Sequence, residues 1–294
     1  MMEPVFFPQS SITALWITLV MCLLIPILMF VFYLGTKKAK LSSYFIGTGV
    51  SLLIVILGRN IIDMFFLVLL GLDPLFDADV HPVYSALYAA VVNGTLIQIS
   101  TYIALRYTMG DRIEKENMFF MTMGKAGLYC LIYGGVSTIT YIAIAYTVNS
   151  GGIDAYLSTI EDAAVRESQR AVIALQAAEP AFQIILDGVS QIAAMCLHIA
   201  LGVLIYCGLH EPKDILTDEA LKVIKKDPSS APPYIAFRGF MVPFAVILQI
   251  LSLLPIFLLQ VGFFADLAPL VIVFDIVCIA AVCIVCHKIY TELK

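Results

Sequence analysis

Few residues in this chain could do acid–base or metal chemistry from inside a hydrophobic setting. The ionisable side chains deep within its long apolar runs are Arg59, Asp63, Asp187, His198 and Asp275. A charge inside a membrane span is costly, so it usually marks chemistry, an ion path or a neutralised lock. Arg59 and Asp63 stand four apart, so on a helix they share a face and can pair. Such a pair suits a proton path or a structural lock, and the lock is the plainer reading. Asp187, Ser190, Gln191, Ala194 and His198 recur at spacings of three and four, which places them in one stripe. Asp187 and His198 are still three turns apart, ~16 Å along a helix axis, too far to hold one metal together. His198 alone reads as a hydrogen-bonded core histidine.

Other motifs add little chemistry. Cys283 and Cys286 form a CxxC followed by His287, but no second CxxC completes a zinc set, and the plainer reading is packing. All seven cysteines fall in apolar runs, so nothing suggests a disulfide framework. HExxH, GxSxG, the P-loop and the dinucleotide fingerprint are absent.

The elements that must position these residues are membrane helices. Of 294 residues, 61% are hydrophobic and only 13% charged, with a mean hydropathy of +0.96. A soluble domain is nearer half apolar and a quarter charged. Apolar runs near 13–35, 44–70, 83–107, 118–147, 180–208, 233–261 and 269–289 are each long enough to cross a bilayer. The runs are continuous rather than alternating, which excludes a β-barrel. The expected architecture is an all-α polytopic bundle of about seven transmembrane helices. The first run has Glu3 as the only charge before it, and reads as an uncleaved anchor rather than a signal peptide.

Basic residues orient the bundle. With the N-terminus outside, the cytoplasmic segments hold Lys37, Lys38, Lys40, Arg106, Arg112, Lys115, Lys213, Lys222, Lys225, Lys226, Lys288 and Lys294. The outer segments hold only Arg166 and Arg170, a ratio of twelve to two. The C-terminus is then cytoplasmic. Lys125 and Arg238 lie one or two turns from the inner face and are expected to snorkel. The basic inner rim suits anionic lipid, although topology alone explains it.

A single transmembrane domain, 1–294, is expected, with two connections long enough to fold. The outer one, 149–179, opens with Ser150-Gly151-Gly152. It places Ile153, Tyr156, Leu157 and Ile160 at helical spacing, as in an amphipathic helical loop. The cytoplasmic one, 210–232, offers Thr217 as a cap for a helix over 218–226 with acids first and lysines last.

Uncharged polar residues line the middle spans. Gly94, Gln98 and Thr101 share a face of the third; Tyr133, Ser137 and Thr140 share one on the fourth, where Gly134-Gly135 permits close helix approach. These side chains can hydrogen-bond, but none is a carboxylate base or a firm zinc ligand.

At these residues the chain resembles the YhfC-type intramembrane metallopeptidases, relatives of the PrsW group. Tyr84-Ser85-Ala86-Leu87-Tyr88 resembles the family's start of the third span. The family's Gly-x-x-Glu-Glu-x-x-Arg then corresponds to Gly94 with Ile97, Gln98 and Thr101 at the charged positions. Its Gly-His-Gly-Gly-x-Glu corresponds to Ile132-Tyr133-Gly134-Gly135-Val136-Ser137, keeping the glycine pair and losing His and Glu. Gly188-Val189-Ser190-Gln191 stands for Gly-Ile-Glu-Arg, and a His-x-x-x-Asp pattern becomes Gln249 and Leu253. Framework residues match while the bases and metal ligands that the resemblance implies are replaced.

The resemblance therefore implies a catalytically inactive member, without cofactor or bound metal. It would be a pseudo-peptidase of the bacterial cytoplasmic membrane, in contact with the lipid bilayer and not with nucleic acid. Gln98, Thr101, Tyr133, Ser137, Ser190, Gln191 and Gln249 would line a lapsed crevice that holds a membrane protein, peptide or lipid, or would simply knit the bundle of a complex subunit. One rival is an active intramembrane metallopeptidase with a rearranged set such as Asp187, His198 and Asp275. Another is a transporter or channel subunit using Arg59, Asp63 and Asp187, with helix breaks near Gly58 and Pro255.

Overall fold

The structure, a computed structural model, describes residues 5–36, 39–109, 114–158 and 160–294. Of the charges used for orientation, Lys37, Lys38 and Arg112 lie outside the described residues. Among the described residues every regular element is helical. Seven helices among the described residues are long and apolar enough to cross a membrane: Gln9–Gly35, Leu41–Leu69, Pro82–Thr108, Lys115–Gly151, Ala181–Leu209, Arg238–Gln260 and Ala265–Glu292. The protein is an integral membrane protein. Backbone amides inside a bilayer find no water, and a helix satisfies them within one segment.

Local departures have physical causes. The sixth span begins at Arg238 rather than 233, because Pro233–Ala236 forms its own short helix and Phe237 leaves helical geometry at φ −105°, ψ 25°. The helix runs through Gly58 and through Pro255 without unwinding. Wide π turns occur instead at Leu52–Leu57, Met64–Leu69, Ala104–Thr108 and Cys130–Val136, the last containing Tyr133, Gly134 and Gly135.

The chain divides into two compact units. One comprises Met1–Leu28 with Tyr129–Ile192. Here Phe7, Ile12, Ala145, Val148, Leu157 and Ile173 are buried together, so the segment after the fourth span is folded onto its own apolar core. Asp162 accepts from the amides of Ala164 and Val165, capping the helix Ala163–Ala178. Asn149 and Phe7 exchange two amide bonds of 2.8 Å. The absence of a side chain at Gly134 is required, since a Cβ there would sit 2.6 Å from Cys22 Sγ.

The other unit comprises Met29–Leu128 with Ala193–Lys294. Its core gathers Leu105, Met118, Met121, Leu201 and Ile205, each fully buried. Helices meet backbone to backbone at Gly124, where a Cβ would lie 2.2 Å from the Tyr44 carbonyl oxygen. Small residues allow such approach where no hydrophobic effect drives helices together. Asp218–Lys226 forms a helix with the bounds read from the sequence, and the Thr217 hydroxyl accepts from the Ala220 amide. All seven cysteines are free thiols.

Candidate functional site

In the second unit, five polar side chains from four spans converge. Gln98 and Thr101 come from the third span, Lys125 from the fourth, His198 from the fifth and Gln249 from the sixth. All five are buried, Gln98 and Thr101 at 0% exposure. Gln249 Oε1 accepts from Gln98 Nε2 at 2.7 Å and lies 2.9 Å from His198 Nδ1. That oxygen can only accept, so the contact places the ring proton on Nδ1. Gln249 Nε2 reaches Ser252 Oγ at 3.4 Å. Gln98 Oε1 is buried with no hydrogen-bond partner.

Lys125 corrects the sequence reading. It does not snorkel; at 1% exposure its ammonium donates to the Ile97 carbonyl at 3.1 Å and to the Thr101 hydroxyl. The structure supplies the depth, and the sequence held one signal for it. Lys125 lies ten residues into a span that begins at Lys115, ~15 Å deep at 1.5 Å per residue. Its neighbours Gly124, Ala126 and Gly127 are small, which lets the helix pack closely around a long side chain.

The remaining candidate positions fall in the first unit. Ser190 is buried, whereas Ser137 and Gln191 are half-buried. Tyr133 is 57% exposed and stacks on Tyr129 with ring centroids 5.8 Å apart. Gln191 packs beside the Gly134 backbone, its Cγ 3.5 Å from where a Cβ would stand. Within the second unit Gln98, Thr101 and Gln249 are sealed in one cluster, and within the first Tyr133 presents its ring outward.

Arg59 and Asp63 do pair, Nε to Oδ2 at 2.5 Å. The Tyr88 hydroxyl donates to Asp63 Oδ1 at 2.7 Å, and the guanidinium stands over the Tyr88 ring, 5.3 Å from its centroid. Both charges are thus occupied by partners. Asp275 is buried in the seventh span. Asp187 accepts from Gln183 Nε2 at 2.9 Å. A mostly apolar cavity of about 260 Å³ is lined in part by Cys196, Cys283, Cys286 and His287.

The chain matches the family model described as YhfC intramembrane metalloprotease over residues 21–221. The chain belongs to that family. It is 22% identical over 201 residues to the uncharacterized membrane protein YhfC of Bacillus subtilis (strain 168), covering 67% of this chain and 74% of that protein. No solved structure matches. The match ends ahead of the last two spans, so Gln249 lies beyond it.

The family's description implies a metal, which the residues present do not fit. Among the described residues no three His, Cys, Asp or Glu side chains gather so that they could hold one. The polar cluster supplies one imidazole, two neutral amides and an ammonium. A catalytic zinc takes three protein ligands, typically imidazole, carboxylate or thiolate, and this cluster offers one.

Proposed function

We propose that this YhfC-family chain is a non-catalytic integral membrane protein, a pseudo-peptidase that works by binding a membrane protein, peptide or lipid, or as a subunit of a membrane complex. The observation that carries this reading is a buried polar cluster without a carboxylate: Lys125 Nζ donates to Thr101 and the Ile97 carbonyl, and Gln249 Oε1 joins Gln98 and His198. One imidazole and two amides make a poor zinc site, and the cluster offers no carboxylate to activate water.

The closure of that cluster favours the subunit role over a ligand crevice at Gln98, Thr101 and Gln249. Polar contacts between membrane helices contribute ~0.6–2 kcal/mol each, enough to knit the bundle. Partner contact then falls to exposed apolar and aromatic faces such as that of Tyr133. Twelve basic residues against two favour an N-terminus outside and a C-terminus inside, in keeping with a bacterial cytoplasmic membrane.

The test is a cleavage assay in proteoliposomes with added zinc and a single-span reporter substrate. No cleavage above empty liposomes is expected. Zinc-dependent cleavage abolished by His198→Ala would overturn the reading.

A further inference from the structure

The second span carries polar groups on a face that its own unit leaves bare. Between positions 52 and 69 only Val55 is buried. Leu53, Leu57, Ile61 and Met64 are each more than half exposed, as suits a helix set against acyl chains. Asn60 stands among them in the regular turns Gly58–Asp63 and is exposed as well. Its side-chain amide has no hydrogen-bond partner among the described residues. It lies nine residues from the end of the span at Leu69, ~14 Å at 1.5 Å per residue, so its short side chain cannot reach the interface.

Beside it is the second observation, the ion pair. The Arg59 and Asp63 side chains are 26% and 28% exposed. Asp63 accepts from Arg59 Nε and from the Tyr88 hydroxyl, so its charge is met within the unit. A guanidinium carries five N–H donors. Among the described residues only the one on Nε has an acceptor. Two neighbouring side chains thus hold unused donors inside the bilayer, and the Asn60 amide adds an unused acceptor. No water is there to take them, and a bare hydrogen-bonding group in hydrocarbon is costly. Polar side chains in spans instead bond across helix contacts.

We propose that the Asn60 face of the second span is the contact between two copies of this chain. The chemistry selects a copy over an unrelated partner. A primary amide is donor and acceptor at once, so it is complementary to itself. Arg59 and Asp63 together carry no net charge and call for no counterion from outside. Two copies inserted in the same direction are related by a two-fold axis along the membrane normal. That axis brings Asn60 opposite its own equivalent at the same depth, where the two amides bond to each other. Leu53, Leu57, Ile61 and Met64 then pack around this polar centre, as apolar residues surround a single asparagine between paired helices. The contact is independent of the polar cluster and of whether the protein is catalytic.

The experiment is Förster transfer in liposomes between full-length copies labelled at the C-terminus with donor or acceptor dye, over a range of protein-to-lipid ratios. A saturating dimer curve is expected for the wild type. Asn60→Leu weakens association by about tenfold. Asn60→Gln, which keeps the amide, retains most of it, and Tyr133→Leu, on another exposed face, leaves it unchanged. Thermal unfolding of Asn60→Leu at the wild-type temperature, in detergent that keeps the chain monomeric, shows that the loss is one of association and not of fold. Wild-type copies that stay monomeric at every ratio, alone or holding a different membrane protein, overturn the proposal. So does a dimer that Asn60→Leu leaves intact.

Discussion

Lys125 Nζ donates to the hydroxyl of Thr101 and to the carbonyl of Ile97, so the fourth span is tied to the third through one buried side chain. Gln98, on the same third span, bonds to Gln249 of the sixth, and no carboxylate enters the cluster. An internal cation without carboxylates is a poor setting for a metal and a workable one for a polar seam between helices.

That seam makes a prediction about Lys125 itself. Ile97 O also accepts from Ser100 Oγ at 2.7 Å and from Thr101 Oγ1 at 3.3 Å, so removing the ammonium strands no acceptor. Replacing a buried ion by an apolar side chain of similar length is often neutral or stabilising. Lys125→Met should unfold in detergent at or above the wild-type temperature. Lys125→Ala, which leaves a cavity, should lose about 2 kcal/mol or more. A Lys125→Met variant as unstable as Lys125→Ala would show that the charge itself holds the helices.

Gln249 should matter more than Gln98. Its Oε1 serves both Gln98 Nε2 and His198 Nδ1, so Gln249→Leu strands two buried donors, each at ~1–3 kcal/mol. Gln98→Met removes one donor bond together with an oxygen that already lacks a partner. Chemical denaturation should therefore rank Gln249→Leu well below Gln98→Met in stability, and the reverse order would refute the assigned amide orientations.

Glycine substitutions should split by what faces them. A Cβ at Gly124 would meet the Tyr44 backbone at 2.2 Å, and helices must separate to admit it. Gly124→Ala should cost ~1–3 kcal/mol, the usual range for overpacking. Gly49, within the helix Leu41–Ser51, has nothing within 4 Å of that position. Gly49→Ala should gain up to ~1 kcal/mol from helix propensity alone. Thermal shift of the two variants checks both signs.

The Glu179 carboxyl gives a pH dependence. Its folded value of about 7 lies above the ordinary 4.5, so the folded state binds more protons between those limits. Stability from this group is present below about 4.5 and falls as pH rises through about 7. Melting temperature from pH 5 to pH 8 should fall more steeply for wild type than for Glu179→Gln. Parallel curves would contradict the shift.

Much of the fold was legible because the bilayer imposes length and apolarity on each span. Thr217, followed by Asp218 and Glu219 and closed by Lys225 and Lys226, announced its helix through capping and dipole chemistry. The site was read less well. Lys125 was assigned to the surface because its distance to an inner face depends on where the helix begins, and the helix begins at Lys115 rather than 118. A period of 3.6 put Tyr133 on one face with Ser137 and Thr140, but Tyr133 lies in the π turn Cys130–Val136, whose wider winding changes which face each residue takes.

Metal content tests the central claim most directly. Protein purified without chelator from zinc-supplemented cells should carry far less than one zinc per chain, measured by inductively coupled plasma mass spectrometry. One tightly held zinc per chain, lost in His198→Ala and with the fold intact, would contradict the account.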